Sequence, residues 1–408
     1  MLTQGDLITL IGRARRYAVA SPRAAVPHIQ QLNELAELAS SPDVDPAVLV
    51  TDQVLSVIGL TWEHGWQPAD LVHAAARRTS KVGARWLARA VLVHAERTEA
   101  DSRAPDEWTS QLNALSSRHR HAGGTEGLLA TAGRAQHDDW VTALVVLDFL
   151  SELPALPPLV PPPSRWGQPR QTPRTQPGPS GARDDHDKVL TRIRALLAKA
   201  ESTEFAAEAE AFTAKAQDLM TRHSIDEALL AAEAGHSFDI GTIRVLIDHP
   251  YAREKANLLH VVAQANRIRA IWFDFASHAS LVGVRSDLAQ VEMLFTSLLV
   301  QATRAMTQAG EQSRGADRTS GFRKAFLTSY AVRINERLTE ASQEAADSYG
   351  TDLVPIFQRQ ADAVEAEFER LYPHATQMSS RASYDARGWD AGAKAADQAV
   401  LPAGAVEA

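Results

Sequence analysis

The sequence predicts a mostly helical α+β protein, and three patterns support this fold class. Apolar residues recur three and four positions apart over most of the chain, which is the spacing of amphipathic helices. Four short segments with strand-like patterns follow residue 235, and residues 154–183 are rich in proline. We therefore expect an all-α bundle over 1–153, a disordered Pro-rich linker over 154–183, a helical hairpin over 184–234 and, over 235–401, a small mixed sheet covered by long helices.

The composition excludes several classes of protein. The 408 residues contain no cysteine, so disulfides, thiolate metal sites, iron–sulfur clusters and cysteine nucleophiles are excluded. The formal net charge of −8 argues against a chain built as a whole around nucleic acid, but it permits a local basic patch. No apolar run approaches the roughly 20 residues that cross a bilayer, and the N-terminus lacks the pattern of a signal peptide. We expect a cytoplasmic protein that has no membrane contact.

The first 153 residues contain six segments with helical spacing of apolar residues. Pro68 is placed for a first helical turn, and Asp138 or Asp139 is placed as the N-cap of the last segment. Five tryptophans fall in this region, and we expect them to anchor a helical core rather than to stack on bases. The helices are predicted at about 7–17, 26–38, 46–58, 68–78, 84–97 and 139–150, and the tryptophans are Trp62, Trp66, Trp86, Trp108 and Trp140.

Residues 154–183 contain prolines throughout, four arginines and no acidic residue. Such a segment lacks the apolar side chains that folding would bury, so we expect an extended linker that is partly polyproline II. A second interpretation stays open, because the proline spacing also fits an aromatic groove on a binding partner.

After the linker, two helices are predicted to form a hairpin. Asp184 or Asp185 can cap the first helix, and Ser202 and Thr203 can cap the second. The apolar residues of the first helix are Val189, Ile193, Leu196, Leu197 and Ala200, and those of the second run from Phe205 to His223. Each set falls on one helix face, as two packed helices require.

The C-terminal part is predicted to combine strands with long helices. Strands are expected at 237–247, 268–275, 279–284 and 352–357, and helices at 253–266 and 319–348. Another long helix is capped by Ser286, with Asp287 suited to its dipole, and two further helices end the chain. Gly388 and Gly392 are four residues apart, which favours a close helix-packing contact over a phosphate loop.

Part of the hairpin resembles a known family. The positions that carry the resemblance are Lys188, Ile193, Leu196, Leu197, AEST at 200–203, Glu208, Ala209, Ala214, KAQ at 215–217, Leu219, Met220 and HSID at 223–226. They resemble the bacterial domain-of-unknown-function family 2786. The blocks ANLLHVVAQANRIR, LVGVRSDLAQVEMLF, GFRKAFLTSYAVRINERL and GWDAGAKAADQA are similar to the companion domain that follows in that family. The resemblance implies a domain boundary and supplies no catalytic residues.

Positive charge accumulates between residues 314 and 337. Six basic residues occur there against Asp317 and Glu336, a balance of 6 − 2 = +4, and they are Arg314, Arg318, Arg323, Lys324, Arg333 and Arg337. On a helical wheel Arg323 points into the apolar arc, so its guanidinium needs a carboxylate, a bound anion or a route to solvent. Two interpretations stay open: internal ion pairs with ordinary surface arginines, or a phosphate-contacting face for nucleic acid or a nucleotide.

The remaining polar motifs are weaker. The common signatures of nucleotide binding, serine hydrolysis and zinc proteolysis do not occur. His119 and His121 lack a nearby acidic pair, which makes a metal site less plausible than a solvated turn. His223 either ends its helix or carries a proton beside Asp226. We predict no catalytic residue, no metal site and no cofactor.

These patterns leave three hypotheses for function. The first is a non-enzymatic nucleic-acid-associated or adaptor protein that uses the face around residues 314–337. The second is an enzyme of unrecognised class with Arg323 as an anion-binding residue. The third is a protein-interaction scaffold built on the N-terminal bundle and the linker. The expected partners are therefore nucleic acid or another protein.

Overall fold

The computed structural model forms two compact units, Met1–Thr175 and Gln176–Ala408. The residues it describes are 4–39, 45–119, 128–129, 135–167, 181–202, 215, 219–220, 222–225, 228–229, 237–312, 319–349, 354–376 and 385–399. Within these ranges most residues are helical and a three-stranded sheet lies in the second unit, which confirms the α+β class. No helix in the described ranges combines the length and apolar character that crossing a bilayer requires.

The first unit consists of helices. They are α1 (Gln4–Ala20), α2 (Val26–Leu38), α3 (Pro46–Glu63), α4 (Pro68–Arg78), α5 (Lys81–Arg97), α6 (Ala100–Arg103), α7 (Asp106–Arg118) and α8 (His137–Ser151). All six predicted helices are confirmed, and Pro68 lies in the first turn of α4. The predicted cap of α8 is wrong, because Gln136 is the N-cap and Asp139 lies three residues inside the helix. The Asp139 carboxylate accepts the Gln136 N–H at 3.1 Å, which completes a capping box.

Tryptophans anchor the core of this unit, as predicted. Trp62, Trp66, Trp86, Trp108 and Trp140 are all buried. The indole N–H of Trp140 donates to Asn33 Oδ1 at 2.6 Å, and that of Trp66 donates to the Pro154 carbonyl at 2.7 Å. Because buried indoles need an acceptor, these bonds fix the positions of the large side chains that fill the space between the helices.

The first part of the Pro-rich segment is ordered against this unit, contrary to the prediction of a disordered linker. The peptide N–H of Leu156 donates to the His64 carbonyl at 2.8 Å, and the Leu156 side chain is buried. Farther along, Ser164 donates its N–H and its hydroxyl to the Glu63 carboxylate at 2.9 and 2.7 Å. Proline-rich composition does not prevent packing here, because a surface beside α3 supplies the hydrogen-bond partners that the segment itself lacks. Residues 168–180 lie outside the described ranges.

The second unit begins with α9 (Gly181–Ser202) and continues as a sheet with long helices. Its further elements are β1 (Ile240–Leu246), α10 (Ala252–Ala265), β2 (Arg269–Phe273), β3 (His278–Val284), α11 (Arg285–Gln312), α12 (Ser320–Tyr349), α13 (Val354–Leu371) and α14 (Ala386–Gln398). Residues 219–220, 222–225 and 228–229 are helical as well, where the second hairpin helix was predicted; most of that helix lies outside the described residues.

The sheet is antiparallel throughout, so the prediction of a mixed sheet is wrong. The strand order is β1-β3-β2, with Ile240 opposite Val284 and Arg269 opposite Val282. The strands β1 and β2 run in the same direction, but β3 lies between them. Sequence patterns identify strands but do not show which strand is central. Because β3 lies between β1 and β2, those two strands do not pair with each other, and each pairs antiparallel with β3.

Helices cover both faces of the sheet. Val282 on one face packs with Phe368 and Tyr372 at the C-terminal end of α13. Ala279 and Leu281 on the other face belong to the large core that α10, α11 and α12 share. Alternation along β3 therefore divides its side chains between two helical layers, which explains why this central strand is buried along nearly its whole length.

Three predicted element boundaries differ from the structure. The strand predicted at 352–357 is wrong for residues 354–357, because α13 begins at Val354 with Pro355 in its first turn. Ser286 lies inside α11, which starts at Arg285 directly after β3. Asp184 and Asp185 lie inside α9, which starts at Gly181.

The backbones of α12 and α14 lie in close contact, as the two glycines predict. A Cβ atom on Gly388 would overlap the Phe322 carbonyl, and one on Gly392 would overlap the Phe326 carbonyl. Both pairs advance by four residues in the same direction, so α12 and α14 are parallel. Glycine is required at these two positions because the backbone of one helix lies directly on the other.

We expect Gly392→Ala to lower the free energy of unfolding of the second unit by about 1–3 kcal/mol, the usual cost of overpacking. Gly321→Ala is the matched control, since a Cβ there meets no atom within 4 Å. It should be neutral or stabilising by up to about 1 kcal/mol, because alanine favours helix. Urea unfolding followed by circular dichroism measures both, and equal effects would contradict the contact.

We expect the first unit to lose stability as the pH falls from about 6.5 to 4. Burial, and then the nearby charge of Arg97, lower the pKa of His94 to about 4 from its ordinary 6.5, and Trp62 Nε1 donates to His94 Nδ1 at 3.4 Å. Between these two pH values the unfolded chain binds a proton on His94 that the folded chain does not bind. The free energy of unfolding of the first unit therefore falls by about 3 kcal/mol in total. Tryptophan fluorescence against urea should show the loss, and His94→Gln should flatten it; an unchanged slope in that variant would assign it elsewhere.

Candidate functional site

The structure describes four of the six residues of the predicted basic face, and these four form two pairs. Arg314 and Arg318 lie outside the described residues. Arg333 and Arg337 lie in the middle of α12, and Arg323 and Lys324 lie in its first turns. The pairs have different surroundings, so the six residues do not form one uniform surface.

Arg333 and Arg337 hold the C-terminal end of α14. The Arg333 guanidinium bonds the Asp397 carboxylate and also Glu336 Oε2, the latter at 2.7 Å. These bonds, that to Asp397 most of all, raise the pKa of Arg333. Arg337 donates to the backbone carbonyls of Ala396, Asp397 and Ala399. Cations are favoured at these positions because the last carbonyls of a helix lack partners inside it. Both arginines are therefore paired within the fold, which agrees with the first of the two interpretations of the basic face.

Arg323 and Lys324 lie at the opposite end of the same helix. Thr319 Oγ1 accepts the Phe322 N–H at 3.1 Å and caps α12. Arg323 is partly exposed although Phe322 and Phe326 beside it are buried, and Lys324 is exposed. Within the described part of the chain neither cation has a carboxylate at ion-pair distance. At the start of the helix the long arginine side chain reaches solvent past the apolar arc.

The parallel arrangement places the first turn of α14 beside these two cations. The Asp385 side chain caps α14 by accepting the Gly388 N–H at 3.0 Å, and Arg387 is exposed in the same turn. Two helix N-termini then lie side by side, each with a partial positive charge equivalent to about half an elementary charge. Arg323 and Lys324 add their charges to these dipoles, so this end of the helix pair can attract an anion.

A buried polar cluster lies elsewhere in the unit and was not predicted. Asp287, Gln360 and Ser224 are buried, at 5%, 2% and 8% exposure. Asp287 Oδ2 accepts from Ser224 Oγ and from Gln360 Nε2, both at 3.3 Å. Ser224 Oγ in turn accepts from Arg267 Nη2 at 3.2 Å. The cluster thus joins the hairpin, α11, α13 and the segment between α10 and β2.

Arg267 supplies the positive charge of this cluster. Its φ is 58°, and its guanidinium lies 4.2 Å from the centre of the Phe357 ring. Burial lowers the pKa of Arg267, and the negative charge of Asp287 partly opposes this. A partly buried cation beside a buried carboxylate is tolerated because the two charges compensate each other, although Arg267 Nε and Gln360 Oε1 have no hydrogen-bond partner among the described residues. The three hydrogen bonds of the cluster run between elements that are distant in the chain, so the arrangement suits a structural role that joins these elements.

The sequence contained part of the signal for this cluster. Ser224 belongs to the HSID motif of the family resemblance, and Asp287 was interpreted only as a charge at a helix start. Arg267 and Gln360 carry no local pattern, because their roles depend on residues far away in the chain.

The other candidate residues form no catalytic arrangement that the structure shows. His223 is partly buried in a helical segment, whereas Asp226 and His121 lie outside the described residues. The described residues contain no group of histidine and carboxylate side chains that could hold a metal ion. An open cleft beside β1 is lined by residues 237–240 and by Ala363, Ala366, Glu367 and Arg370 of α13, so Arg323 does not line it.

We expect Asp287→Ala to lower the free energy of unfolding of the second unit by about 2–3 kcal/mol, because Arg267 would keep its charge without compensation. Asp239→Ala is the control, since its ion pair with Arg285 is exposed and contributes about 0–1 kcal/mol. Amide hydrogen exchange of the full chain should speed up at residues 222–225 in the first variant alone. Equal protection in both variants would show that the cluster does not hold this segment.

Comparisons with known proteins show a resemblance of one segment to a family and give no function. No curated protein and no solved structure matches the chain. Residues 188–227 match the family model described as "Protein of unknown function (DUF2786)", which confirms the resemblance of α9 and the residues that follow it to this family.

Proposed function

We propose that this is a non-enzymatic, nucleic-acid-associated protein whose second unit contacts phosphate groups at the shared N-terminal end of α12 and α14. The observation that carries the proposal is the parallel contact of these helices, which brings the start of α14 next to the start of α12, where Arg323 and Lys324 lie. Cytoplasmic residence belongs to the same proposal.

The chemistry of this end suits phosphates. Helix N-termini offer backbone N–H groups and a positive dipole, and lysine and arginine supply the full charges that neutralise a phosphodiester backbone. Arg333 and Arg337 are excluded from this surface, because their donors already bond α14. The proposed contact residues are therefore Arg323 and Lys324, with Arg387 next to them and Arg314 and Arg318 preceding them in the chain.

The two other hypotheses have less support. An enzyme would need Arg323 to open into a cleft, and the cleft beside β1 is lined by other residues. A scaffold that presents the Pro-rich segment to partners would have to release it, since Pro154, Leu156 and Ser164 already bond the first unit.

We expect Arg323→Ala and Lys324→Ala to weaken binding of the full chain to DNA or RNA and to reduce the salt dependence. Each lost phosphate contact should lower the slope of log K against log salt by about 1. Arg359→Ala is the matched control, because Arg359 is exposed on α13 and has no ion-pair partner within the described ranges. Fluorescence anisotropy over several salt concentrations measures the slopes. Wild-type slopes in the first two variants would reject this surface.

A further inference from the structure

A second basic surface lies on α9, within the residues that match the family. Between residues 188 and 199 the sequence contains four cations and no acidic residue, and the cations are Lys188, Arg192, Arg194 and Lys199. All four are exposed. The stripe is bounded in the sequence by Asp184, Asp185 and Asp187 before it and by Glu201 after it.

The opposite face of α9 fixes which way this stripe points. Ile193 is fully buried and Leu197 is 4% exposed, and both belong to the large core of the second unit. The helix packs against α11 through this side. A helix held by its apolar face presents its other face to solvent in one orientation, so the cations form a defined surface and not a flexible tail.

The arrangement of side chains between the cations is informative. Thr191, Ala195 and Ala198 are exposed and lie between Arg194 on one edge and Lys188, Arg192 and Lys199 on the other, as the period of 3.6 residues per turn dictates. These small residues allow a backbone to approach the helix closely, and long cations border them on both sides. The stripe spans the twelve residues from 188 to 199, about 16 Å along the axis.

We propose that the exposed face of α9 contacts the phosphate backbone of double-stranded nucleic acid. The inference rests on the proposed nucleic-acid function and adds the surface and the form of the ligand. A helix with its side chains is about as wide as the major groove, so cations on both edges meet phosphates on both sides of the groove. A single strand is disfavoured, because the exposed face between 188 and 199 has no aromatic side chain on which a base could stack.

Arg192 and Arg194 are the residues on which the proposal is tested. Within the described part of the chain they have no ion-pair partner, whereas Lys188 and Lys199 take part in other interactions. Binding of the full chain to a labelled duplex of about 20 base pairs is measured by anisotropy between about 50 and 200 mM salt. Arg192→Ala and Arg194→Ala should each lower the salt slope by about 1, and the double variant should weaken binding at least about tenfold.

Two control variants show whether a change in binding comes from the lost charge and whether it depends on where that charge lies. Arg192→Lys keeps the charge and should keep the slope, and Arg359→Ala removes a charge from α13 and should leave the slope unchanged. The proposal is overturned if the alanine variants bind like wild type, if Arg359→Ala lowers the slope equally, or if a single strand of equal length binds more tightly than the duplex.

The outcomes for α9 and for the α12–α14 end are distinguishable. Loss of binding in the α9 variants with wild-type binding by Arg323→Ala and Lys324→Ala would support the α9 surface and reject the other. The reverse result would reject the α9 surface alone. Absence of salt-sensitive binding by the wild-type chain would reject both.

Discussion

The close parallel contact between α12 and α14 determines much of what the second unit can do. Two glycines let the backbone of α14 lie on the Phe322 and Phe326 carbonyls, and a larger residue at either place would force the helices apart. At the C-terminal end of α14, this contact brings Arg333 and Arg337 to the last helical turn. There Arg333 bonds the Asp397 carboxylate and Arg337 bonds the Ala399 carbonyl. At the N-terminal end, it brings two helix starts together.

The segment that matches the family is fastened to the rest of the second unit in two ways. Ile193, Leu197 and Met220 share one apolar core with the sheet and the long helices. Ser224 bonds Asp287 and Arg267 in a buried polar cluster. Ser224 of the HSID motif thus forms an internal connection between the hairpin and the buried charges of Asp287 and Arg267. Ser224 of the motif therefore identifies a packing relationship within the second unit.

Charge averaged over a segment hides its distribution over a surface. Residues 188–227 contain six basic and seven acidic residues, which gives no sign of a basic site. Four of the six basic residues fall on α9, before the first acidic residue of this range. Residues 314–337 show the opposite problem, because their balance of +4 includes two arginines that the fold has already paired. The net charge of a segment indicates a charged binding surface only when the partners of each charged side chain are known.

The sequence by itself determined most of the helices though not α6 or α7, most strand positions, the tryptophan anchors and the glycine contact, because these depend on local spacing and on residue size. It did not determine the strand order, the packing of residues 154–167, the start of α13 or the cluster around Asp287. Those features depend on partners distant in the chain: β3 enters between β1 and β2, and Glu63 binds Ser164 about a hundred residues away. Arg333 and Arg337 were identified as basic residues near an apolar face, but only the tertiary structure decided that α14 would use them and leave Arg323 at the surface. Local patterns fix which residues are charged, and long-range packing fixes which charges remain for a ligand.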